Sequence, residues 1–178
     1  GPRSFRIEGD FSLLSEEEFS EWVRIWKDVP YFRYVEDKQN SFPFSRIKTL
    51  TAEIDGMVWL ESSFAGRKTK DLEEIYLSGI RGFVYSAEED LIQEDPVSLE
   101  AKIELFRNLK RNHPEIYCLV RIHNREDLQK KIPAFILRFQ YILDGILLTG
   151  EGLPNAYHTR NSQRACTRVP YEVLFRGG

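Results

Sequence analysis

The sequence has little of what disulfide-bonded, metal-thiolate or membrane proteins require. Its only cysteines are Cys118, in an apolar run, and Cys166, in a polar segment, so a disulfide framework or a thiolate metal site has little support. No apolar stretch approaches the roughly 20 residues that span a bilayer, and no signal-peptide pattern opens the chain. We therefore expect a cytoplasmic domain without direct membrane insertion.

An excess of positive charge is also absent. The chain has 25 lysines and arginines against 28 aspartates and glutamates, which gives a formal net charge of −3. A protein that binds nucleic acid needs a basic surface to neutralise phosphates, so we expect no nucleic-acid partner. With 178 residues, 42% of them hydrophobic and 30% charged, the composition is typical of one globular domain.

Apolar periodicity predicts an α/β fold. Strands are predicted at 5–7, 82–86, 116–122 and 143–148, and helices from 15 onward and at 70–77, 97–112 and 125–139. Ser15 is a good N-cap, with Glu18 at the capping-box spacing. Pro133 should kink the last helix or mark its true start. Strands that alternate with helices imply parallel βαβ units with helices on both faces, which is a three-layer arrangement.

One antiparallel hairpin is predicted within this otherwise parallel sheet. Two strand-like runs, 47–54 and 57–62, are separated by Asp55-Gly56. Asp-Gly favours a tight hairpin turn because the central residues of that turn need positive φ. The preceding segment, 31–46, is aromatic and polar and is interrupted by Pro43, so it is predicted to be an irregular connector.

A hairpin followed by parallel βαβ units resembles the strand plan of Ras-like small GTPases. The run from Met57 to Lys68 resembles the family's strand that ends in Asp-x-x-Gly, with Ser63 at the aspartate position and Gly66 retained. Residues 116–127 resemble its guanine-recognition strand, which ends in Asn-Lys-x-Asp. The resemblance implies a small-GTPase-like fold with the topology of phosphate-loop NTPases.

The resemblance also implies a phosphate loop that begins at Gly9, but this loop is degenerate. The second glycine of the family motif is Leu14, the lysine is Ser15 and the hydroxyl residue that holds Mg²⁺ is Glu16. Carboxylates at this helix start would repel a triphosphate. The glutamine that orients the attacking water corresponds to Arg67. A pseudo-GTPase is therefore expected, without a cofactor, a metal or enzymatic activity.

Only the base-recognition end of the family pattern is retained, as Asn124, Arg125 and Asp127. Without the groups that bind phosphate and magnesium, most of the affinity for a nucleotide is lost. We therefore expect Asn124 and Asp127 to cap the following helix. Nucleotide binding is not expected, although a degenerate GTPase that keeps weak affinity for guanine nucleotides is an alternative.

Loss of nucleotide chemistry leaves protein binding as the implied function. Pseudo-GTPase domains of this kind are embedded in some large Rho GTPase-activating proteins. The resemblance therefore implies that this domain is a protein-interaction or scaffolding module within a larger signalling protein. Aromatic residues are enriched at interface hot spots. The candidate partner-binding residues are Arg67 and the aromatic side chains of the 31–46 connector, namely Tyr31, Phe32, Tyr34, Phe42 and Phe44.

A third interpretation is a fragment of a phosphate-binding β/α-barrel enzyme. Residues 144–152, Asp-Gly-Ile-Leu-Leu-Thr-Gly-Glu-Gly, resemble the strand and glycine loop that hold phosphate in such barrels. This interpretation explains the alternating units but not the predicted hairpin. A complete barrel needs about 250 residues, which exceeds the length of this chain.

The remaining polar clusters are expected to be structural or solvent-facing. His113, His123 and His158 have no partner at metal-ligand spacing. The acidic runs 16–18 and 88–90 are typical of helix caps and solvated faces. The arginine-containing segment 160–168 is expected to be a solvated loop.

The predicted domain covers residues 5–150. The opening Gly1-Pro2 is typical of tag cleavage, so residues 1–4 are expected to be a leader. Residues 151–178 are expected to form an irregular C-terminal extension that includes a remnant of the last helix of the GTPase fold.

Overall fold

A computed structural model describes residues 5–7, 13–28, 33–37, 44–54, 58–123, 125–139, 141–149 and 157–158. The chain is α/β. Its elements are β1 (Phe5–Ile7), α1 (Glu16–Asp28), β2 (Arg33–Asp37), α2 (Phe44–Glu53), β3 (Val58–Ser62), α3 (Thr69–Leu77), β4 (Gly82–Ser86), α4 (Glu88–Gln93), α5 (Pro96–Asn112), β5 (Tyr117–His123), α6 (Glu126–Gln129), α7 (Ile132–Phe139), β6 (Gly145–Thr149) and β7 (Tyr157–His158).

The strands form one sheet in which each strand pairs with the next one along the chain, from β1 to β7. Strands β1 to β6 are all parallel, and β7 pairs with β6 in the antiparallel direction. A right-handed crossover that always steps in the same direction places every connecting helix on the same side of the sheet. The predicted α/β class with a mostly parallel sheet is confirmed.

The strand residues that pack with the helices agree with helices on one face only. Alternate residues such as Leu60, Phe83 and Val120 belong to the large apolar cluster that also contains the buried side chains of the helices. Their neighbours Trp59 and Leu119 are buried but lie outside that cluster, because successive side chains of a strand point to opposite faces. We call this second surface the helix-free face. For the described residues the predicted three-layer arrangement is therefore wrong, because their elements form two layers, one sheet and one layer of helices.

The predicted hairpin is also wrong. Residues Phe44–Glu53 form helix α2, and β3 pairs in parallel with β2. Ile47, Leu50 and Ile54 are all buried, and their spacing of three and four residues matches one side of a helix. The predicted irregular connector likewise contains β2 and the start of α2. Asp55 and Gly56 lie outside the described residues.

Other boundaries follow the sequence closely. Strand β4 has the predicted bounds, and α5 begins at Pro96, where the Asp95 side chain caps it by accepting hydrogen bonds from two backbone N–H groups. The helix predicted at 125–139 is divided into α6 and α7, and Pro133 is the second residue of α7. A proline is tolerated in the first helical turn because its missing N–H would have no partner there. In the described part of the chain, no helix has the length and apolarity of a membrane span.

A buried carboxylate joins β4, α4 and α5. The side chain of Asp90, 12% exposed, accepts hydrogen bonds from the Tyr85 hydroxyl, from Ser98 Oγ at 2.7 Å and from Lys102 Nζ at 2.9 Å. Burial alone would raise the pKa of Asp90, but these hydrogen bonds outweigh it and lower the pKa. The expectation that the acidic run 88–90 is a solvated face is therefore wrong for Asp90.

A second buried carboxylate joins β5, β6 and α5. Asp144, which is fully buried immediately before β6, accepts the Cys118 backbone N–H at 2.7 Å and Lys110 Nζ at 2.6 Å. The backbone N–H of Asp144 donates in return to the Cys118 carbonyl at 2.7 Å. Burial raises the pKa of the Cys118 thiol to about 12, so this cysteine is an unreactive core residue.

A polar cluster joins α3 to the segment that follows α5. His113 Nε2 lies 2.6 Å from a carboxylate oxygen of Glu73, and its ring stacks on Tyr76 with 3.6 Å between centroids. The guanidinium of Arg81 covers Tyr76 at 3.9 Å from the ring centroid, and the Tyr76 hydroxyl donates to Glu115. His113 has the structural role expected from the sequence.

Gly82 allows the ring of Trp59 to lie directly on β4. A Cβ at position 82 would lie 2.3 Å from Trp59 Cδ2, so we expect Gly82→Ala to destabilise the protein by about 3 kcal/mol, as in strongly overpacked cores. Gly66→Ala is the matched control, because a Cβ there meets no atom within 4 Å and only the positive φ of +69° is strained. That strain should cost about 1 kcal/mol. Urea unfolding measures both, and equal losses would contradict the contact of Trp59 with β4.

The contact between Glu73 and His113 predicts an acid-sensitive contribution to stability. The hydrogen bond with His113 lowers the pKa of Glu73 below its ordinary 4.5. A carboxylate whose pKa is lower in the folded state stabilises the fold above the unfolded pKa, and this contribution disappears as the pH falls through the folded pKa. Unfolding free energies measured from pH 6 to pH 3 should therefore fall more steeply for the wild type than for Glu73→Gln. Parallel pH profiles would show that the contact between Glu73 and His113 does not contribute to stability.

Candidate functional site

Polar side chains of the helix-free face are concentrated where the parallel strands end. Trp59 and Leu119 lie nearer the amino ends of β3 and β5. Glu61, Ser86 and Arg121 lie within the last three residues of β3, β4 and β5. In register, Ser86 is the neighbour of Arg121. The carboxyl ends of parallel strands meet at one edge of a sheet, and β/α barrels bind ligands at that edge. We call it the carboxyl edge.

An ion pair lies at the centre of this edge. Arg121 Nε pairs with Glu61 Oε1 across β4, with side chains 25% and 5% exposed respectively. Withdrawing two charges from water costs several kcal/mol for each ion, so a pair of this kind is weak evidence for a role in stability. A guanidinium held in place by a carboxylate presents N–H donors in the planar fork that matches phosphate and carboxylate groups.

The loop after β3 has an unusual backbone. Phe64 and Gly66 both have positive φ, of 55° and 69°. A left-handed conformation costs a non-glycine residue about 1–2 kcal/mol. The buried Phe64 ring offsets this cost by packing edge-on against Phe106, with 5.1 Å between centroids. The backbone N–H of Phe64 also donates to Ser62 Oγ at 3.0 Å. The loop is thus anchored immediately before Arg67.

Arg67 is held beside the carboxyl edge rather than extended into solvent. Its guanidinium lies 3.4 Å from Asp37, the last residue of β2, and the two side chains are 13% and 6% exposed. The loop and the buried acid together fix the position of this arginine. The sequence identified Arg67 as a candidate contact residue without indicating this partner.

One further acid follows β4 at the same edge. The backbone N–H of Ala87 donates to the Arg121 carbonyl, which ties the start of α4 to β5, and Glu88 is the next residue. The Glu88 Oε1 atom is buried and accepts no hydrogen bond from the described residues. An acceptor without a donor costs about 1–3 kcal/mol when buried.

Sequence reasoning missed Glu61, Arg121 and Glu88 as site residues. The available signal was a charge inside an apolar strand run, as in Cys118-Leu-Val-Arg-Ile and Trp59-Leu-Glu. In a strand that packs against helices on one face, such a charge marks the opposite face.

The residues at the start of α1 serve the helix itself. The Ser15 N–H donates to Glu18 Oε1 at 2.9 Å, and the Glu18 N–H donates to Ser15 Oγ at 3.1 Å, so the predicted capping box is confirmed. The hydrogen bonds from Ser15 lower the pKa of Glu18. Arg46 pairs with Glu16 at 3.1 Å and donates to the carbonyl of Leu14. Gly9 lies outside the described residues.

The base-recognition candidates lie elsewhere on the sheet. Arg125 forms two hydrogen bonds with the Asp127 carboxylate, at 3.1 and 2.8 Å, and no side chain caps α6 at Arg125. The capping role expected for Asp127 is therefore replaced by an ion pair, and Asn124 lies outside the described residues. Because β1 is at one end of the strand order and β5 is four strands away, the structure does not bring Ser15 and Asp127 together.

The aromatic candidates are only partly described. Phe44 begins α2, is half-buried and lines a groove of 310 Å³ together with Leu77 of α3, whose side chain is 72% exposed. Tyr34 is a residue of β2. Tyr31, Phe32 and Phe42 lie outside the described residues, as do segment 160–168 and the glycine-containing run 150–152.

Comparison with known proteins assigns no family. No family model matches the sequence, and none of the curated proteins is significantly similar to it. Among the described residues, no group of three or more His, Cys, Asp or Glu side chains is arranged to hold a metal ion. The function is therefore inferred from the fold and from the carboxyl edge.

The side-chain contacts at the start of α1 predict that guanine nucleotides do not bind there. The N–H groups of Ser15 and Glu18, which could otherwise meet a phosphate, already donate to each other's side chains. The carboxylates of the first turn, at 16–18, would in addition repel it. Calorimetric titration with GDP and with GTP, each with and without Mg²⁺, should show no saturable heat. Micromolar affinity that depends on Mg²⁺ would contradict this prediction and favour a degenerate GTPase.

Proposed function

We propose that this domain binds a small ligand that carries a phosphate or carboxylate group, at the carboxyl edge of its sheet. The observation that carries the proposal is the Arg121–Glu61 ion pair, which lies on the helix-free face where the strands end. We assign no catalytic role to these residues.

The strand order supports a ligand site of the β/α-barrel type. Doubly wound sheets that bind nucleotides reverse their strand order, and the ligand enters the crevice created by that reversal. The order β1 to β7 has no reversal, so no such crevice exists between the described strands. Consecutive parallel strands with helices on one side are the arrangement of β/α barrels, whose ligands bind over the carboxyl ends of the strands. This order favours the barrel-like alternative over a small-GTPase-like topology.

The chemistry of the edge supports an anionic ligand. Glu61 fixes the guanidinium of Arg121 before a ligand arrives, so little side-chain freedom is lost on binding. Hydrogen bonds from arginine to a phosphate or carboxylate are charge-assisted and are stronger than those between neutral groups. A partly exposed arginine beside a buried acid therefore provides both orientation and attraction.

A non-catalytic protein-interaction module, which is the role expected from the sequence, is the second candidate. The observation that favours it is the groove between α2 and α3, where Phe44 lies beside the exposed Leu77. A protein partner that inserts an apolar side chain between these two residues would bury both. This candidate does not need the carboxyl edge, so the two proposals are tested separately.

Arg121→Lys tests the proposed ligand site. Lysine keeps the positive charge but loses the planar fork, so we expect the affinity for inorganic phosphate and for methylphosphonate to fall about tenfold. Nuclear magnetic resonance titration of the complete chain measures both affinities. Arg107→Lys is the matched control, because Arg107 lies on the exposed side of α5 and pairs with Glu104. If neither anion binds the wild type, or if Arg121→Lys binds as well as the control, the proposal fails.

A further inference from the structure

Two arginines at the carboxyl edge are each held by a buried acid from a strand. Arg121 is paired with Glu61 of β3, and Arg67 is paired with Asp37 of β2. Both acids are at least nine-tenths buried, whereas the arginines are more accessible than their partners. In each pair the buried acid fixes the position of the guanidinium, and the arginine is the member of the pair that is more accessible to solvent.

The two arginines occupy different positions along the edge. Asp37 follows the core residue Val35 by two positions in β2. Because alternate residues of a strand point to the same face, Asp37 points to the helix-packed face. Glu61 points to the helix-free face. Asp37 and Glu61 lie on neighbouring strands, which are about 4.8 Å apart. The two arginines are therefore held by acids on opposite faces of the sheet, at the ends of neighbouring strands. A ligand that passes over these strand ends can meet both with separate anionic groups.

The backbone before Arg67 supports a recognition role. Left-handed conformations at non-glycine residues persist only where the surrounding structure enforces them, and they are concentrated at binding sites. The conformation of Phe64 is enforced by its buried ring, and the result is a fixed path for the next three residues up to Arg67. A loop with no role in recognition could take a relaxed path between β3 and α3.

We infer that Arg67 is a second anion-recognition residue and that the ligand carries two anionic groups separated by a short spacer, as in a bisphosphate or a phosphorylated carboxylic acid. This inference rests on the proposed function, since Arg121 supplies the first contact. Asp37 is the positioning residue for Arg67, as Glu61 is for Arg121. Two fixed guanidinium groups then select the ligand by the distance between its charges.

A series of bisphosphonates tests the inference. Linear bisphosphonates with one to eight methylene groups are titrated against the complete chain, with methylphosphonate as the probe that has one anionic group. We expect one spacer length to bind best and to exceed methylphosphonate by at least about tenfold, which is the contribution of one charge-assisted contact. If affinity does not depend on spacer length, the inference is wrong.

Variants separate the two arginines. Arg67→Lys should reduce the affinity for the best bisphosphonate about tenfold and remove most of its advantage over methylphosphonate, whereas Arg121→Lys should weaken the binding of both probes. Asp37→Asn should flatten the dependence on spacer length, because Arg67 is then less firmly held. Thermal melts identify any variant that fails to fold, and Arg107→Lys is again the control.

The outcomes distinguish this inference from the proposed function. Methylphosphonate binding that needs Arg121 but is not improved by a second phosphonate supports the proposed function and overturns the inference about Arg67. Absence of methylphosphonate binding overturns the proposed function itself. A bisphosphonate preference that persists in Arg67→Lys would also overturn the assignment of Arg67.

Discussion

The structure depends on one constraint: each parallel strand pairs with the strand that follows it in the chain. Because every crossover then steps in the same direction, the helices gather on one face and the other face receives none of them. The strands accordingly present apolar side chains such as Leu60 and Val120 to the helices. The helix-free face is left to a different set of residues, and its charges lie near the strand ends. The position of the candidate site is therefore a consequence of the pairing order.

Buried charge has two uses in this domain. Asp90 and Asp144 lie within the helix-packed layer, and each joins three elements through hydrogen bonds that its carboxylate accepts. Glu61 and Asp37 lie at the carboxyl edge, and each is paired with an arginine instead of a lysine. The first arrangement fixes the relative positions of helices and strands. The second holds guanidinium groups at the strand ends, where we propose that a ligand binds.

The sequence predicted those features that depend on local interactions. The capping box of Ser15 and Glu18, the bounds of β4 and the role of Pro133 all follow from contacts within a few residues. The predicted hairpin is wrong because burial of Ile47 and Leu50 on one side of a helix outweighs the turn preference of Asp55-Gly56. The strand order, and with it the number of layers, depends on pairing between distant segments, which local patterns do not specify.

The candidate site was harder to predict for the same reason. Arg67 was identified from its position after a strand, but its partner Asp37 is 30 residues away in the sequence. Arg121 and Glu61 are 60 positions apart and meet only because β4 lies between their strands. The small-GTPase resemblance implied that Ser15 and Asp127 belong to one nucleotide site. With β1 at the end of the strand order and β5 four strands away, the structure does not bring them together.

The shortness of the outermost strands limits self-association through the sheet. At one side β1 has three residues, and at the other β7 has two and runs against the direction of β6. Unpaired backbone groups on an outer strand are the usual template on which another chain adds a strand. Within the described residues, these two strands offer too short a ladder for a second copy to extend. Intermolecular β-pairing is thereby disfavoured, even though the interior strands are rich in valine, isoleucine and leucine.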